Sequence, residues 1–168
     1  MRLDAKINEV GFDLANLLDK NTIEKLLGVL SADGVYAMWV YAKDKLDFDF
    51  KQDFINKELF KFLKQMSEFQ NYFKKLYLWN DEKKSKIENL SKEITKKYNK
   101  LNSLKNNQRK ERGQLFKQIS QQKEERLKLI DKPFLKLSEN LEQLLFFKEI
   151  LEKTLIYARY HAKAKGEE

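Results

Sequence analysis

The stretch SLKNNQRKERGQLF, Ser103 to Phe116, decides how this chain folds, because the apolar pattern around it lapses there and then resumes. Upstream, Ile87, Leu90, Ile94, Leu101 and Leu104 keep a heptad-like seam, with Lys97 standing where an apolar residue would continue it. Downstream, Leu115, Phe116 and Ile119 restart a stripe that thins at Gln122 and Lys123. It then runs through Leu127, Ile130, Phe134, Leu137, Leu141, Leu144, Leu151 and Leu155. From Lys105 to Gln114 the chain holds Asn106, Asn107 and Gly113 but no large apolar residue. Such a lapse between two narrow stripes predicts the tip of an antiparallel helical hairpin. A straight helix would need a second chain to bury its stripe, so a dimeric coiled coil, here a homodimer, is the alternative, and a locally unstructured segment is the third reading. Pro133 predicts a kink or a fresh helix start after Ile130.

The rest of the chain agrees with an all-α fold. Among 168 residues there are one proline and five glycines, too few for the many tight turns of an all-β domain, while 36% of the residues are charged. Ile7, Val10, Leu14, Leu17 and Leu18 predict a first helix over Asp4 to Leu18. Asn21 and Glu24 have the spacing of a capping box for a second helix that stops at Asp33-Gly34. GVYAMWVYAK, Gly34 to Lys43, is apolar on every side and predicts a short, central, buried helix. A broad aromatic face from Phe54 through Phe69, Phe73 and Leu76 predicts one long helix from about Asp53 to Leu78.

Charge divides the chain into parts. Residues 1–80 carry 12 basic and 12 acidic side chains, residues 81–126 carry 14 and 7, and residues 127–168 carry 8 and 7, so nearly all of the net +8 sits in the middle. The expected organisation is a single domain. It has a neutral, aromatic-rich body at 1–80, a basic hairpin arm at 81–130 and a C-terminal helix at 131–168 returning to the body. Without cysteine there is neither a disulfide framework nor a thiolate metal site, and no stretch approaches the roughly 20 apolar residues of a membrane span, so a soluble, cytoplasmic protein is expected.

Few residues invite a chemical role. Lys83 to Lys123 contains thirteen lysines and arginines against Glu88, Glu93 and Glu111, an imbalance that ordinary exposed helices avoid by pairing opposite signs. Lys96, Lys97, Lys100, Lys105, Arg109, Lys110, Arg112 and Lys117 are the candidate phosphate contacts, drawing affinity from counterion release. Tyr98 and Phe116 are too few for a base-stacking platform. Trp79, between body and arm, is a candidate protein contact. Asp44, Asp47, Asp49 and Asp53 lie close together but lack the glycine that a cation loop uses for its sharp turn, so no metal site is expected. His161, the only histidine, is separated from Arg159 by one residue, not by the four to six of an Arg-x(4–6)-His ribonuclease motif, and is read as a surface residue. Phosphate loops, nucleophile elbows and zinc helices are missing, and no cofactor is expected.

LLGVLSADGVYAMWVYAKDK, Leu26 to Lys45, paired with LIYARYHAKAKGEE, Leu155 to Glu168, resembles the small all-helical subunits of type III-B CRISPR effector complexes over these 34 residues. The resemblance implies a subunit lining an RNA–DNA path, and the long middle hairpin departs from it. The function expected is that of a non-catalytic accessory subunit binding nucleic acid through the basic hairpin. The alternatives are a coiled-coil adaptor for a protein partner and a small subunit of an RNA-guided complex of the kind the resemblance implies. An anionic membrane surface fits less well for want of an apolar-basic amphipathic face.

Overall fold

Helical periodicity governs the chain, and the computed structural model, which describes residues 2–46, 57–74, 76 and 78–166, is helical with no strand among them. The helices are α1 (Leu3–Leu17), α2 (Lys20–Asp33), α3 (Val35–Lys45), α4 (Glu58–Ser67), α5 (Asp81–Ser103), α6 (Arg109–Ser138) and α7 (Leu141–Ala164). The stripe of α1 is buried as its spacing requires, with Ile7, Val10 and Leu14 facing the core. α7 lies along α1 and α2 and carries Phe147, Ile150, Leu151, Leu155, Ala158 and Ala162 inward. Gly11 permits the close approach: a β carbon there would stand 2.9 Å from Tyr157 Cβ and 3.0 Å from the Thr154 carbonyl oxygen.

α2 begins earlier than the Asn21 capping box implies. Asp19 is its N-cap, accepting from the Thr22 backbone N–H at 2.8 Å and from the Thr22 hydroxyl at 2.7 Å. A carboxylate with two local donors, at the positive end of the helix dipole, is the stronger cap. α2 ends at Gly34, whose φ of +92° and ψ of −174° lie in a region open essentially only to glycine.

α3 buries one face and exposes the other, contrary to the expectation of a helix buried all round. Val35, Met38, Trp39 and Ala42 are in the core, while Tyr36 and Val40 are exposed, because α2, α6 and α7 cover only one side. The long aromatic helix expected to reach Leu78 stops at Ser67, followed by a 3-10 turn at Gln70–Tyr72. At 3.6 residues per turn, Leu78 would point away from the side that Phe69 buries. The irregular path lets Phe69, Phe73, Leu76 and Leu78 all reach the core. The part of this expected helix at 53–56, including Phe54, lies outside the described residues, as do Asp47, Asp49 and Asp53.

α5 and α6 are joined by residues 104–108 and contact one another. Their cross-links pair falling with rising numbers: Arg112 to Leu101, Gln122 to Glu93 and Arg126 to Ser91. The connection is tighter than the ten-residue apolar lapse, because Arg109 to Gln114 already belong to α6. α6 also runs through Pro133 without a fresh start, ending at Ser138. Beyond Ser138 the expected stripe fails at Leu141, which is 68% exposed at the first position of α7.

Candidate functional site

The seam between α5 and α6 is built from Ile87, Ile94 and Leu101, spaced by seven, facing Leu115, Ile119 and Ile130. It separates into two apolar clusters. Ile87 and Ile130 belong to the larger cluster, shared with the other helices, whereas Ile94, Leu101, Leu115 and Ile119 form a small outer core with Tyr98 and Leu104 against it. Ser91 and Arg126 lie between them. Arg126 is completely buried and donates from Nη1 to the Ser91 hydroxyl at 2.8 Å. Its place on the seam was not anticipated, although the seven-residue steps from Ile119 to Arg126 to Pro133 are visible in the sequence.

Towards its C-terminal end, α6 is anchored to α3 by Asp131, whose carboxylate accepts from Trp39 Nε1 at 2.7 Å and from Lys43 Nζ at 2.8 Å. Phe134 stacks on Trp39 with ring centres 4.5 Å apart. α5 enters from a capped start, Asn80 accepting from the Lys83 N–H at 2.7 Å. Lys83 is largely removed from water near Lys132 and Lys136, and that burial with like charge beside it pushes its pKa down to about 8.

The candidate basic residues take different positions. Lys96, Lys105, Arg109, Lys110 and Lys117 are exposed. Lys100 is exposed as well and forms an ion pair with Glu111 at 3.4 Å. Lys97 is half-buried at the seam position where its charge looked out of place. Arg112 is half-buried too, and its Nη1 donates to the carbonyls of Leu101 and Leu104, both at 3.1 Å, closing the C-terminal end of α5. This binds the turn together, so Arg112 is not part of a purely solvated tip. Gln108 turns its side-chain oxygen back to the Lys105 N–H at 2.9 Å and gives α6 no side-chain cap, leaving Arg109 and Lys110 in the first turn.

On the outer end of the pair lies an open cavity of about 360 Å³, walled by Tyr98, Asn99, Asn102, Arg112 and Phe116. Lys123 fixes Tyr98 by donating to its hydroxyl and lying 5.0 Å from its ring centre. Trp79, the candidate protein contact, is half-buried, its ring edge-on to Phe60 at 4.3 Å and its backbone N–H donating to Gln70 Oε1 at 3.2 Å. His161 lies 3.1 Å from Asn8 Oδ1 and edge-on to Phe12. Asp44 is exposed beside Lys45, and no group of three or more potential metal ligands occurs among the described residues.

No helix among the described residues is long and apolar enough to cross a membrane. No protein-family profile, curated protein or solved structure matches this chain.

Proposed function

We propose that this chain is a non-catalytic accessory subunit whose α5 and α6 form a coiled-coil-like antiparallel hairpin that binds the phosphate backbone of nucleic acid. The observation that carries the reading is the imbalance from Lys83 to Lys123, thirteen basic side chains against three acidic ones. Exposed Lys105, Arg109 and Lys110 at the turn support it. Arg109 and Lys110, in the first turn of a helix that lacks a side-chain cap, oppose the helix dipole, an opposition that Glu111 in the same turn offsets only in part, and a bound phosphate would relieve the rest. Tip contacts of this kind hold a polyanion without reading its bases.

The test is the triple variant Lys105→Glu, Arg109→Glu, Lys110→Glu, with Arg112 kept because it closes α5. Binding to DNA or RNA of any sequence should fall at least about tenfold near 0.1 M salt, with a shallower slope of log affinity against log salt. Unchanged binding, or wild-type binding insensitive to salt, overturns the reading.

A second reading, an adaptor for a protein partner, is favoured by Leu141 and Leu145, one helical turn apart and both exposed at the start of α7. Leu141→Glu with Leu145→Glu would abolish capture of such a partner and leave nucleic-acid binding intact.

A further inference from the structure

Phe116 is 51% exposed, and the small outer core closes without it on Ile94, Leu101, Leu115 and Ile119. Its ring is therefore free to serve something other than that core. Phe116 forms one wall of the cavity, with Tyr98, Asn99, Asn102 and Arg112 around it and no carboxylate among the lining residues. Tyr98 is held in orientation by Lys123, and Arg112 ties the start of α6 to the carbonyls at the end of α5, so these two walls are fixed before anything enters. Exposed Lys100 and Lys117 adjoin the lining residues Asn99 and Phe116 in sequence.

Resting on the phosphate-binding reading above, we propose that this notch takes one unpaired nucleobase, so that the arm prefers single strands to duplex. The volume suits a ring system and its sugar, since ligand cavities of this size hold small molecules. An exposed phenyl face supplies stacking, which any base can use. The amides of Asn99 and Asn102 each present both a donor and an acceptor, the complement of a base edge freed from pairing. A duplex keeps those edges occupied and its bases stacked, so it can reach only the flanking cations. Tyr98 and Phe116 are too few for an extended platform, but one notch needs no more.

The test compares three labelled 20-mers at fixed salt: a mixed-sequence single strand, its duplex, and a strand of abasic sites carrying the same phosphates. Wild-type protein should bind the base-bearing strand about tenfold tighter than the abasic one, in keeping with one stacked base. Phe116→Ala should erase that difference and leave abasic and duplex binding unchanged. Phe116→Trp should retain it, with indole emission quenched on binding only the base-bearing strand. If Phe116→Ala weakens all three equally or none, or wild type binds all three alike, the notch is overturned while the phosphate reading stands. If wild type binds none of the three, both fall together.

Discussion

Trp39 Nε1 donates to the carboxylate of Asp131 at 2.7 Å, tying the fully buried tryptophan of α3 to α6. The same carboxylate receives Lys43, and both partners of that pair are only 15% exposed. Trp39→Ala should cost about 3–5 kcal/mol, through the lost stack on Phe134 and the cavity left behind. Trp39→Phe keeps a ring on Phe134 but removes one donor from Asp131, and should cost about 1–2 kcal/mol. Asp131→Ala strands the Lys43 ammonium in a partly dry setting and should cost on the order of 3 kcal/mol. Denaturant titration of the three variants checks the order; a Trp39→Ala loss under about 1 kcal/mol would mean that α3 and α6 are not held together here.

Arg126 predicts a contrast between two substitutions. Arg126→Ala leaves a void between the apolar clusters and deprives the Ser91 hydroxyl of a donor, at a cost of about 2–4 kcal/mol. Arg126→Met fills much of the same space with an apolar chain and joins the clusters, so stability should change by less than about 1 kcal/mol or rise, as often happens when a buried charge is replaced by well-packed apolar atoms. Equal losses in the two variants would show that the guanidinium bonds, and not the volume, hold the seam.

How much of this was legible in the sequence depends on whether local pattern or distant packing decided it. The stripe of α1 and the seven-residue seam of α5 follow from period alone, and Ile87, Ile94 and Leu101 are buried as that period requires. The end of α4 could not be read in that way, since Phe69, Phe73 and Leu76 keep one helical stripe well past Ser67. The break exists because Phe69 and Leu78 both find space in a core made by other helices. Arg126 escaped notice because a charged residue reads as solvent-facing, even though its spacing from Ile119 marked it as seam. At the candidate site, composition exposed the excess of basic residues but not that Arg112 is committed to the carbonyls of α5, nor that Phe116 shares a cavity with two asparagines. Those relationships join residues on two different helices, and no single-helix pattern contains them.

Gly11 and Gly28 are both helical glycines, and alanine should act on them in opposite directions. At Gly28 a β carbon meets nothing within 4 Å, so Gly28→Ala should stabilise by up to about 1 kcal/mol through helix propensity. At Gly11 the same atom would meet Tyr157 Cβ at 2.9 Å, the Thr154 carbonyl at 3.0 Å and the Ala158 nitrogen at 3.2 Å. Two of those atoms are backbone, so α7 as a whole must retreat, and Gly11→Ala should destabilise by about 1–3 kcal/mol despite its better propensity. Thermal melting of the pair decides the matter: a stabilised Gly11→Ala would mean that α1 and α7 separate at little cost.

Lys83 gives a prediction in pH. Burial, with the charges of Lys132 and Lys136 nearby, lowers its pKa from 10.5 in an ordinary lysine to about 8 in the folded chain. Below about pH 8 it is charged in both the folded and the unfolded state, and the penalty for burying that charge is fully present. Between about pH 8 and 10.5 the unfolded chain holds a proton that the folded chain has released, so the contribution of this group to stability rises with pH across that window and levels off above it. Lys83→Met should therefore stabilise the fold at pH 7 and lose that advantage as pH approaches 10.5. Partial exposure to water will screen the effect, so the direction of the difference between variant and wild type, measured across the window, is what matters. At pH 8 about half of the Lys83 side chains should be neutral amines, and Lys83 should be acylated ahead of exposed Lys96 and Lys105 in a brief labelling experiment read by mass spectrometry. Labelling of Lys83 no faster than Lys96, together with a Lys83→Met gain that persists unchanged to pH 10.5, would show that the lysine keeps an ordinary proton affinity and that the start of α5 beside α6 is wetter than its packing implies.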